Sequence, residues 1–465
     1  MDNMEKLEKI KRREKKQLAG LKAQLERPKF AGYTVILYGL ILLVHLLDSF
    51  ATDVGTKVQS FAVNEYFVLG QGLSVEAGLQ QMTLISLAGL FFSFIAPFYR
   101  TLLDRIGRRP IFIINTLGMA AGLLLCWFAP SFPVYFAGSL VTGFFVMHDT
   151  QMVYIYEVAP KKYRSTVYFA CKFVGVFGTL VIPLLRSFYI DADGNGWHKV
   201  FLVSAVAGVV VFALACLLMR ESDVFAKDRV AYLERPLEER LAEKKQKKGA
   251  DGQKAGIGPA FRYIFAHKQL RWLTIAVLFV STSLYGLTMY FETFMSTLIS
   301  TENVTAALFV QPFAVAVIYL AGGLVSDALG RKAGVLIFTV LSLGGFAAFI
   351  ACTIGAASPY LLGILLGVAI GGYWNVTDLI GMMYAESTPT AIRGSVLGAQ
   401  GITLLAGTMI SMILCMSLLS VLPLNTIMLC VGSIGFLIGV VLLLWKTKET
   451  KGADMATAGR EEGGS

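Results

Sequence analysis

Apolar stretches of about twenty residues, each long enough to span a bilayer, recur along the whole chain with polar loops between them. A helix rises about 1.5 Å per residue, so such a stretch crosses the roughly 30 Å hydrocarbon core. The pattern predicts an all-α membrane protein with twelve transmembrane helices, near residues 33–53, 81–99, 110–129, 132–156, 165–188, 199–219, 272–296, 304–325, 333–353, 358–384, 394–420 and 424–446. The first apolar stretch follows a long polar segment, and we expect no cleavable signal peptide there.

A polar segment in the middle of the chain separates the predicted helices into two groups of six. It contains the string LERPLEERLAEKKQKKGADGQK, which mixes both charges too densely to continue a membrane helix. We therefore expect a basic N-terminal arm (1–32), a first six-helix bundle (33–220), a cytoplasmic linker (221–271), a second six-helix bundle (272–446) and a short tail (447–465).

One string of polar residues, D-x7-E-x2-P-x3-R, occurs in both predicted bundles. It is formed first by Asp149, Glu157, Pro160 and Arg164. It is formed again, each residue 229 positions later, by Asp378, Glu386, Pro389 and Arg393. Charge inside a bilayer is costly and usually marks a solute or ion pathway, and internal duplication is typical of secondary transporters. The repeat therefore predicts two pseudo-symmetric halves.

The composition agrees with a membrane protein. Hydrophobic residues make up 55% of the chain and charged residues 15%, whereas about a quarter of a soluble domain is charged. The six cysteines fall inside predicted spans without metal-ligand spacing, so we expect neither a metal site nor a cofactor. No nucleophile elbow or phosphate-binding loop is present in the sequence, which argues against an enzyme.

The net charge of +10 is placed unevenly along the chain. Lys and Arg crowd residues 1–30, the loops 100–109 and 161–164, and the segment 220–271. The positive-inside rule then predicts that both termini are cytoplasmic, and membrane topology rather than nucleic acid accounts for the charge. We expect the protein in the plasma membrane. The basic N-terminal arm has a thin apolar stripe. It could lie on anionic lipids or remain a solvated tail.

A second motif, D-x-x-G-R-[RK], follows the second and the eighth predicted span. Its members are Asp104, Gly107, Arg108 and Arg109 in the first copy and Asp327, Gly330, Arg331 and Lys332 in the second. The glycine permits a tight turn, and the aspartate can cap or pair with a neighbouring helix end. We expect these loops, with the ends of the duplicated strings, to form a cytoplasmic gate that closes in the outward-open state. The expected gate residues are Asp104, Arg108, Arg109, Asp327, Arg331, Lys332, Glu157, Arg164, Glu386 and Arg393.

With both motifs present twice, the sequence resembles the major facilitator superfamily over residues 33–446. The string YAESTPTAIRGS at 384–395 resembles the sugar-porter and organic-ion-transporter branch, as does Arg220-Glu221-Ser222 after the sixth span. The sequence departs from the family where 135–143 lacks the usual arginine of the fourth span. Residues 173–183 also lack the Gly-Pro-rich pattern of drug antiporters, so a drug substrate is less expected.

The resemblance implies that spans 1, 4, 7 and 10 line a central cavity. Polar residues at helical spacing in spans 1, 7 and 10, and Gln400 in span 11, fit that arrangement. The expected cavity-lining residues are Tyr38, Tyr285, Thr288, Glu292, Trp374, Asn375 and Gln400. The alternative is that these groups make helix–helix hydrogen bonds without touching a solute.

Ionisable residues inside the spans are candidates for coupling or solute binding. Asp149 and Lys172 should reach a similar depth on adjacent helices and form an ion pair. The repeat gives Asp378 no such partner, so we expect a buried, unpaired carboxylate suited to bind a proton or a cation. Asp48, with His45 one turn earlier, is the second candidate.

The sequence thus favours a monomeric secondary active transporter of a small organic solute, sugar-like or an organic ion, that works by alternating access. Proton symport is the preferred mode. The alternatives are a facilitative uniporter and a nutrient sensor that kept the fold without transport.

Overall fold

The computed structural model describes residues 2–28, 32–93, 106–146, 164–191, 193–236, 239, 257–388 and 393–451. These residues are predominantly helical. The helices up to the linker are α1 (Asp2–Glu26), α2 (Tyr33–Lys57), α3 (Gln59–Val63), α4 (Val75–Ser93), α5 (Arg108–Trp127), α6 (Phe132–Phe145), α7 (Arg164–Tyr189), α8 (Lys199–Leu218) and α9 (Asp223–Glu234). A π-helical segment, Asn64–Leu69, joins α3 to the loop before α4.

The second part of the chain begins in the linker and repeats the pattern of long helices. Its helices are α10 (Ile257–Ala266), α11 (Lys268–Ser281), α12 (Leu284–Thr288), α13 (Phe291–Ser296), α14 (Thr301–Leu329), α15 (Arg331–Ile354), α16 (Pro359–Glu386), α17 (Arg393–Leu418) and α18 (Leu424–Lys446).

The predicted all-α membrane fold is confirmed. Eight helices of the described part of the chain are long and apolar enough to cross a membrane, and shorter apolar helices accompany them. The predicted spans 81–99 and 132–156 run into residues outside the described ranges.

The seventh predicted span is broken, where the sequence predicted one helix over 272–296. It consists of α11, α12 and α13 in succession. At the first break the hydroxyls of Ser281 and Thr282 donate to the carbonyls of Val277 and Phe279. Such bonds compete with the helical backbone pattern and favour a local bend.

Each half has its own hydrophobic core. In the first half α2 packs on α7, and α5 packs on α6 and α8. In the second half α16 packs between α14 and α15, and α11 packs on α18. Small residues allow the close approach: a Cβ on Gly367 of α16 would lie 2.6 Å from the carbonyl of Gln311 on α14. The two halves meet where α7 contacts α14 and α4 contacts α17.

The two ends of the bundle differ in chemistry. We call the end that holds Gly107, Gly330 and the start of α2 the basic end, and the end that holds Lys57 and the start of α14 the opposite end. At the basic end Gly107 and Gly330 take φ values of 121° and 103°, which L side chains rarely adopt. A Cβ on Gly330 would also lie 2.8 Å from a carboxylate oxygen of Glu449.

Gly330→Ala should therefore destabilise the protein, by about 1–2 kcal/mol from the backbone conformation alone. The matched control is Gly323→Ala in α14, where an added Cβ meets nothing within 4 Å. That control should be neutral or stabilising by up to about 1 kcal/mol, because alanine is the better helix former. Thermal unfolding in detergent measures both. Equal midpoints for the two variants would contradict the assignment of a strained turn.

Candidate functional site

A small recess lies among α11, α16 and α17 in the second half. Ser281, Thr377 and Gln400 supply its polar groups, and the rest of its lining is aliphatic: Val277, Val280, Ile380 and Leu404. The space inside it is about that of a single water molecule. In this conformation the recess is therefore nearly closed by its own lining. It brings together Gln400 with the Ser/Thr groups of α11 and α16.

Asp378 follows Thr377 on α16 and is exposed, which corrects the expected burial. The carboxylate is not isolated either. The reason is the orientation of α16: Leu379 and Ile380 face the packed core, whereas Asp378 and Met382 lie on an accessible face. Asp378 is therefore an accessible anionic group next in sequence to a recess residue.

His45 and Asp48 lie together on α2, at its interface with α7. The His45 Nδ1 atom is 4.0 Å from Asp48 Oδ2, and the two side chains are 6% and 10% exposed. Gly175 of α7 faces the imidazole so closely that a Cβ there would lie 2.3 Å from His45 Nε2. Tyr38, two turns before His45, is half-buried. The structure thus places a titratable pair inside the first half.

Three residues expected to line the cavity are instead buried in helix packing. Asn375 donates to the carbonyls of Ile318 and Gly371, at 2.8 and 3.1 Å. Thr288 donates to its own helix, and the ring of Tyr285 lies edge-on to that of Tyr290. A polar face on a membrane helix can serve helix packing as well as a solute; here Asn375 bonds to α14 and to its own helix, and Thr288 and Tyr285 contact their own span. Trp374 remains half-buried.

Glu292, also expected in the cavity, forms a buried ion pair at the opposite end. Its carboxylate is 2.8 Å from Arg186 Nη1, and both side chains are 0% exposed. The backbone N–H and the hydroxyl of Ser60 donate to the same carboxylate, at 2.8 and 2.7 Å. Arg186 belongs to α7 and Glu292 to α13, so the pair joins the two halves. An arginine inside the predicted fifth span was the sequence signal for it.

Further hydrogen bonds join the halves at the opposite end. Lys57 Nζ donates to Gln311 Oε1 at 2.7 Å, and both residues are buried. The hydroxyls of Thr83 and Tyr290 are 2.7 Å apart. Thr293 donates to Gln59 at 3.1 Å. The halves are therefore held together at this end by direct polar contacts.

At the basic end, by contrast, the loop residues bond within their own half. Arg331 pairs with Asp327 and with Glu386, each at 2.9 Å, and Asp327 is otherwise exposed. Lys332 Nζ donates to Thr447 O. Arg109 donates from Nη2 to Cys216 O at 2.9 Å. The described contacts of Arg109, Arg331 and Lys332 thus lie within one half and not across the seam, where they were expected. In this conformation the halves are joined at the opposite end.

Several predicted site residues fall beyond the described part of the chain. Asp104, Asp149 and Glu157 lie outside the described residues, and the side chains of Arg164, Lys172 and Arg393 do as well. The ion pair between Asp149 and Lys172 stays a prediction.

Glu221 and Glu449, which the sequence did not indicate as site residues, cap helices at the basic end in the same way, one in each half. Glu221, just after α8, accepts from the backbone N–H of Arg108, at 2.8 Å. Glu449, just after α18, accepts from the N–H groups of Arg331 and Lys332, each at 2.9 Å. Each carboxylate thus satisfies free N–H groups at a helix N-terminus and complements its dipole. Their matching positions after the sixth and the twelfth span were the signal.

The pKa values of Glu221 and Glu449 shift in opposite directions, although both carboxylates accept hydrogen bonds from a helix N-terminus. Burial raises the pKa of Glu221, against the opposing effect of its N–H bonds. For Glu449 burial also acts to raise the pKa, but N–H bonds from Lys332, Arg331 and their neighbours outweigh it and the pKa is lowered. The difference follows from accessibility, since Glu221 is buried and Glu449 is exposed.

The basic N-terminal arm forms a helix that packs on α9. Lys22 pairs with Glu234 at 2.6 Å, and Gln24 donates to the carbonyl of Glu221 at 3.0 Å. Arg12, Lys15 and Lys16 are exposed. Neither expected alternative included this docking. Binding of anionic lipids by the exposed face stays a prediction.

The described structure is thus two helical halves joined by buried charged groups. A model of the Major Facilitator Superfamily matches residues 31–404, and the chain belongs to that family.

Curated relatives include transporters of different solutes. The class H tetracycline resistance protein of Pasteurella multocida is 29% identical over 188 residues, which are 39% of this chain and 44% of that protein. The probable plastidic glucose transporter 1 of Arabidopsis thaliana is 29% identical over 143 residues, 30% of this chain and 26% of that protein. The chain matches less than half the length of each relative.

Solved transporter structures are similar in fold to this chain over most of its length. A D-xylose-proton symporter has a TM-score of 0.67 at 20% identity, and the alignment covers 90% of this chain and 99% of that chain. An inward-open conformation of the xylose transporter XylE from E. coli gives 0.65 at 18% identity, covering 91% and 98%. At these identities the likeness establishes the fold alone.

Acidification should weaken the Glu449 cap. Because the folded-state pKa of Glu449 is lowered, its stabilisation is present above the ordinary carboxyl pKa of about 4.3 and is lost as the pH falls through the folded value. Glu449→Gln should therefore flatten the acid side of a thermal-unfolding profile measured in detergent. Glu26→Gln, at the exposed end of α1, is the control. Parallel profiles for the protein and Glu449→Gln would show that the carboxylate charge does not stabilise this end.

Proposed function

We propose that this protein is a secondary active transporter that moves a small organic solute through the plasma membrane together with a proton, by alternating access. The observation that carries the proposal is the contrast between two regions. Asp378 is accessible beside the recess of Thr377 and Gln400, while Arg186 and Glu292 are fully buried where the halves are joined. In this conformation the site would communicate with the basic end, which the positive-inside rule makes cytoplasmic.

The chemistry of the recess favours a neutral or cationic solute with hydroxyl groups. Ser281 and Thr377 offer hydroxyl oxygens, and Gln400 offers both a donor and an acceptor. Asp378 adds an anionic acceptor, which would repel a carboxylate and attract hydroxyl donors or a cation. The fold shared with a D-xylose-proton symporter supports a sugar-like solute.

Two groups are candidates for proton coupling. Asp378 is exposed in this conformation, and we propose that it is exposed to water on one side, where its carboxylate can exchange a proton. The His45–Asp48 pair is buried at the α2–α7 interface, where a change in packing would alter the balance between charged and neutral forms. Alternating access requires a coupling group that is accessible from each side in turn. We propose that in this conformation Asp378 is accessible from one of them.

Transport of a drug-like compound is a second candidate function. The matches to a tetracycline resistance protein and to a probable actinorhodin transporter favour it. A facilitative uniporter and a sensor remain the alternatives within the fold. Uptake into proteoliposomes separates them: a symporter responds to an inward proton gradient, an antiporter to an outward one, a uniporter to neither, and a sensor shows no flux.

Asp378→Asn should abolish accumulation driven by a pH gradient. One proton moving down one pH unit supplies about 1.4 kcal/mol, enough for about tenfold accumulation of a neutral solute. The variant should lose that accumulation, because it carries no titratable group at this position, while exchange of solute across the membrane can continue. Radiolabelled pentoses and hexoses in proteoliposomes, with and without the gradient, measure both.

The control is Glu302→Gln, an exposed carboxylate in the first turn of α14 far from the recess. It should accumulate solute as the parent does. Full gradient-driven accumulation by Asp378→Asn would remove Asp378 from the coupling role and leave the His45–Asp48 pair as the candidate.

A further inference from the structure

The Arg186 guanidinium is the point where three elements of the opposite end meet. It donates from Nη1 to the carbonyl of Lys57 at the end of α2 and to Glu292 on α13, and from Nε to the hydroxyl of Thr305 on α14. Its charged plane also lies 4.9 Å from the centre of the Phe61 ring. One side chain of α7 thus ties the first half to two elements of the second.

The charges of this cluster balance. Arg186 and Lys57 are cationic, and Glu292 and Asp53 are anionic; Asp53 interacts electrostatically with Lys57 and accepts from Thr179 at 2.8 Å. Breaking a buried pair by removing one partner leaves an uncompensated charge out of water. Removing both partners leaves none. The closed arrangement therefore depends on the complete set.

The cluster is also built so that it can open. Burial costs each ion its hydration, and this cost offsets much of the attraction between the two ions. Among the residues that the structure describes, the buried Nη2 group of Arg186 has no hydrogen-bond partner, which adds a penalty to the closed arrangement. After the halves separate, water would hydrate the two ions and the Nη2 group. A partly separated cluster, in which the bonds are broken but water has not entered, is less favourable than either the closed or the open arrangement. The cluster therefore behaves as a contact with two states, closed and open.

We infer that Arg186 and Glu292, with Lys57 and Gln311, form the external gate of the transporter, an ion-pair lock that holds the outer side closed and must break for solute to enter from outside. The inference rests on the proposed alternating access. Glu292→Gln would leave Arg186 as an unpaired cation in the closed state, whereas in the outward-open state that cation is hydrated. The variant should therefore populate the outward-open state more than the parent.

The test is the reactivity of single cysteines placed in a cysteine-free background. Thr83→Cys reports the outer side, because Thr83 lies in the seam against Tyr290 and is 1% exposed. Thr377→Cys reports the recess from the basic end. A membrane-impermeant maleimide is applied to intact cells for the first reporter and to inside-out vesicles for the second. In Glu292→Gln the first rate should rise and the second should fall, by about 5- to 150-fold, the usual range of coupling between two conformations.

The pattern separates a gate from general loosening. A variant that has lost its fold reacts faster at both reporters, which would overturn the inference. Arg186→Gln/Glu292→Gln removes the ion pair without stranding a charge, so its rates should lie between those of the parent and those of Glu292→Gln; a double variant that reacts like the parent would show that the ion pair is not the lock. The control Glu302→Gln removes a carboxylate at the same end outside the seam and should leave both rates unchanged.

The outcomes also distinguish failure of the gate from failure of alternating access, on which the gate depends. A parent protein in which Thr83→Cys never reacts, while Thr377→Cys reacts fully, does not visit the outward-open state, and alternating access itself fails. A parent that reacts at both reporters, with rates unaltered by Glu292→Gln, retains alternating access and loses only this gate.

Discussion

The cost of keeping a charge away from water is the constraint on which this structure depends. Arg186 and Glu292 are fully buried, and Lys57 nearly so. Each of the three also has a hydrogen-bond partner in the other half of the molecule. A charge in the membrane is tolerated where it has a partner. The pairing of these groups therefore depends on the contact between the halves at the opposite end.

The charges at the basic end obey the same rule within each half. Glu221 caps α5 and Glu449 caps α15, so the helix after each glycine turn is tied to the segment that leaves the bundle. Arg331 adds a bond to Glu386 at the end of α16. Both partners of each of these contacts belong to the same half. The protein thus has two classes of charged contact: one bonds within a half, and the other joins the halves.

The sequence determines the repeat of apolar stretches, and that repeat was enough to predict the fold and its duplication. It does not show which neighbour a polar residue faces. Asn375 and Asp378 are three positions apart, yet Asn375 fits against Gly322 of α14 and Asp378 is accessible, because small residues on α14 open a space at one position only. The partner of Glu292 lies 106 residues away in the sequence. Hydropathy also misses the breaks in the seventh span, which arise from hydroxyl groups competing for backbone carbonyls.

The two halves have the same fold but carry different chemistry. The His45–Asp48 pair lies in the first half, between α2 and α7, and the recess of Ser281 and Gln400 lies in the second. The seam between the halves is what connects them. There α7 meets α14, and the ring centres of Phe177 and Phe313 are 5.7 Å apart. Gly175 and Gly178 of α7 bring that helix against His45 and the carbonyl of Leu46. A shift of α7 relative to α14 would therefore change the packing around the His45–Asp48 pair, and α7 is also the helix that carries the Arg186 guanidinium.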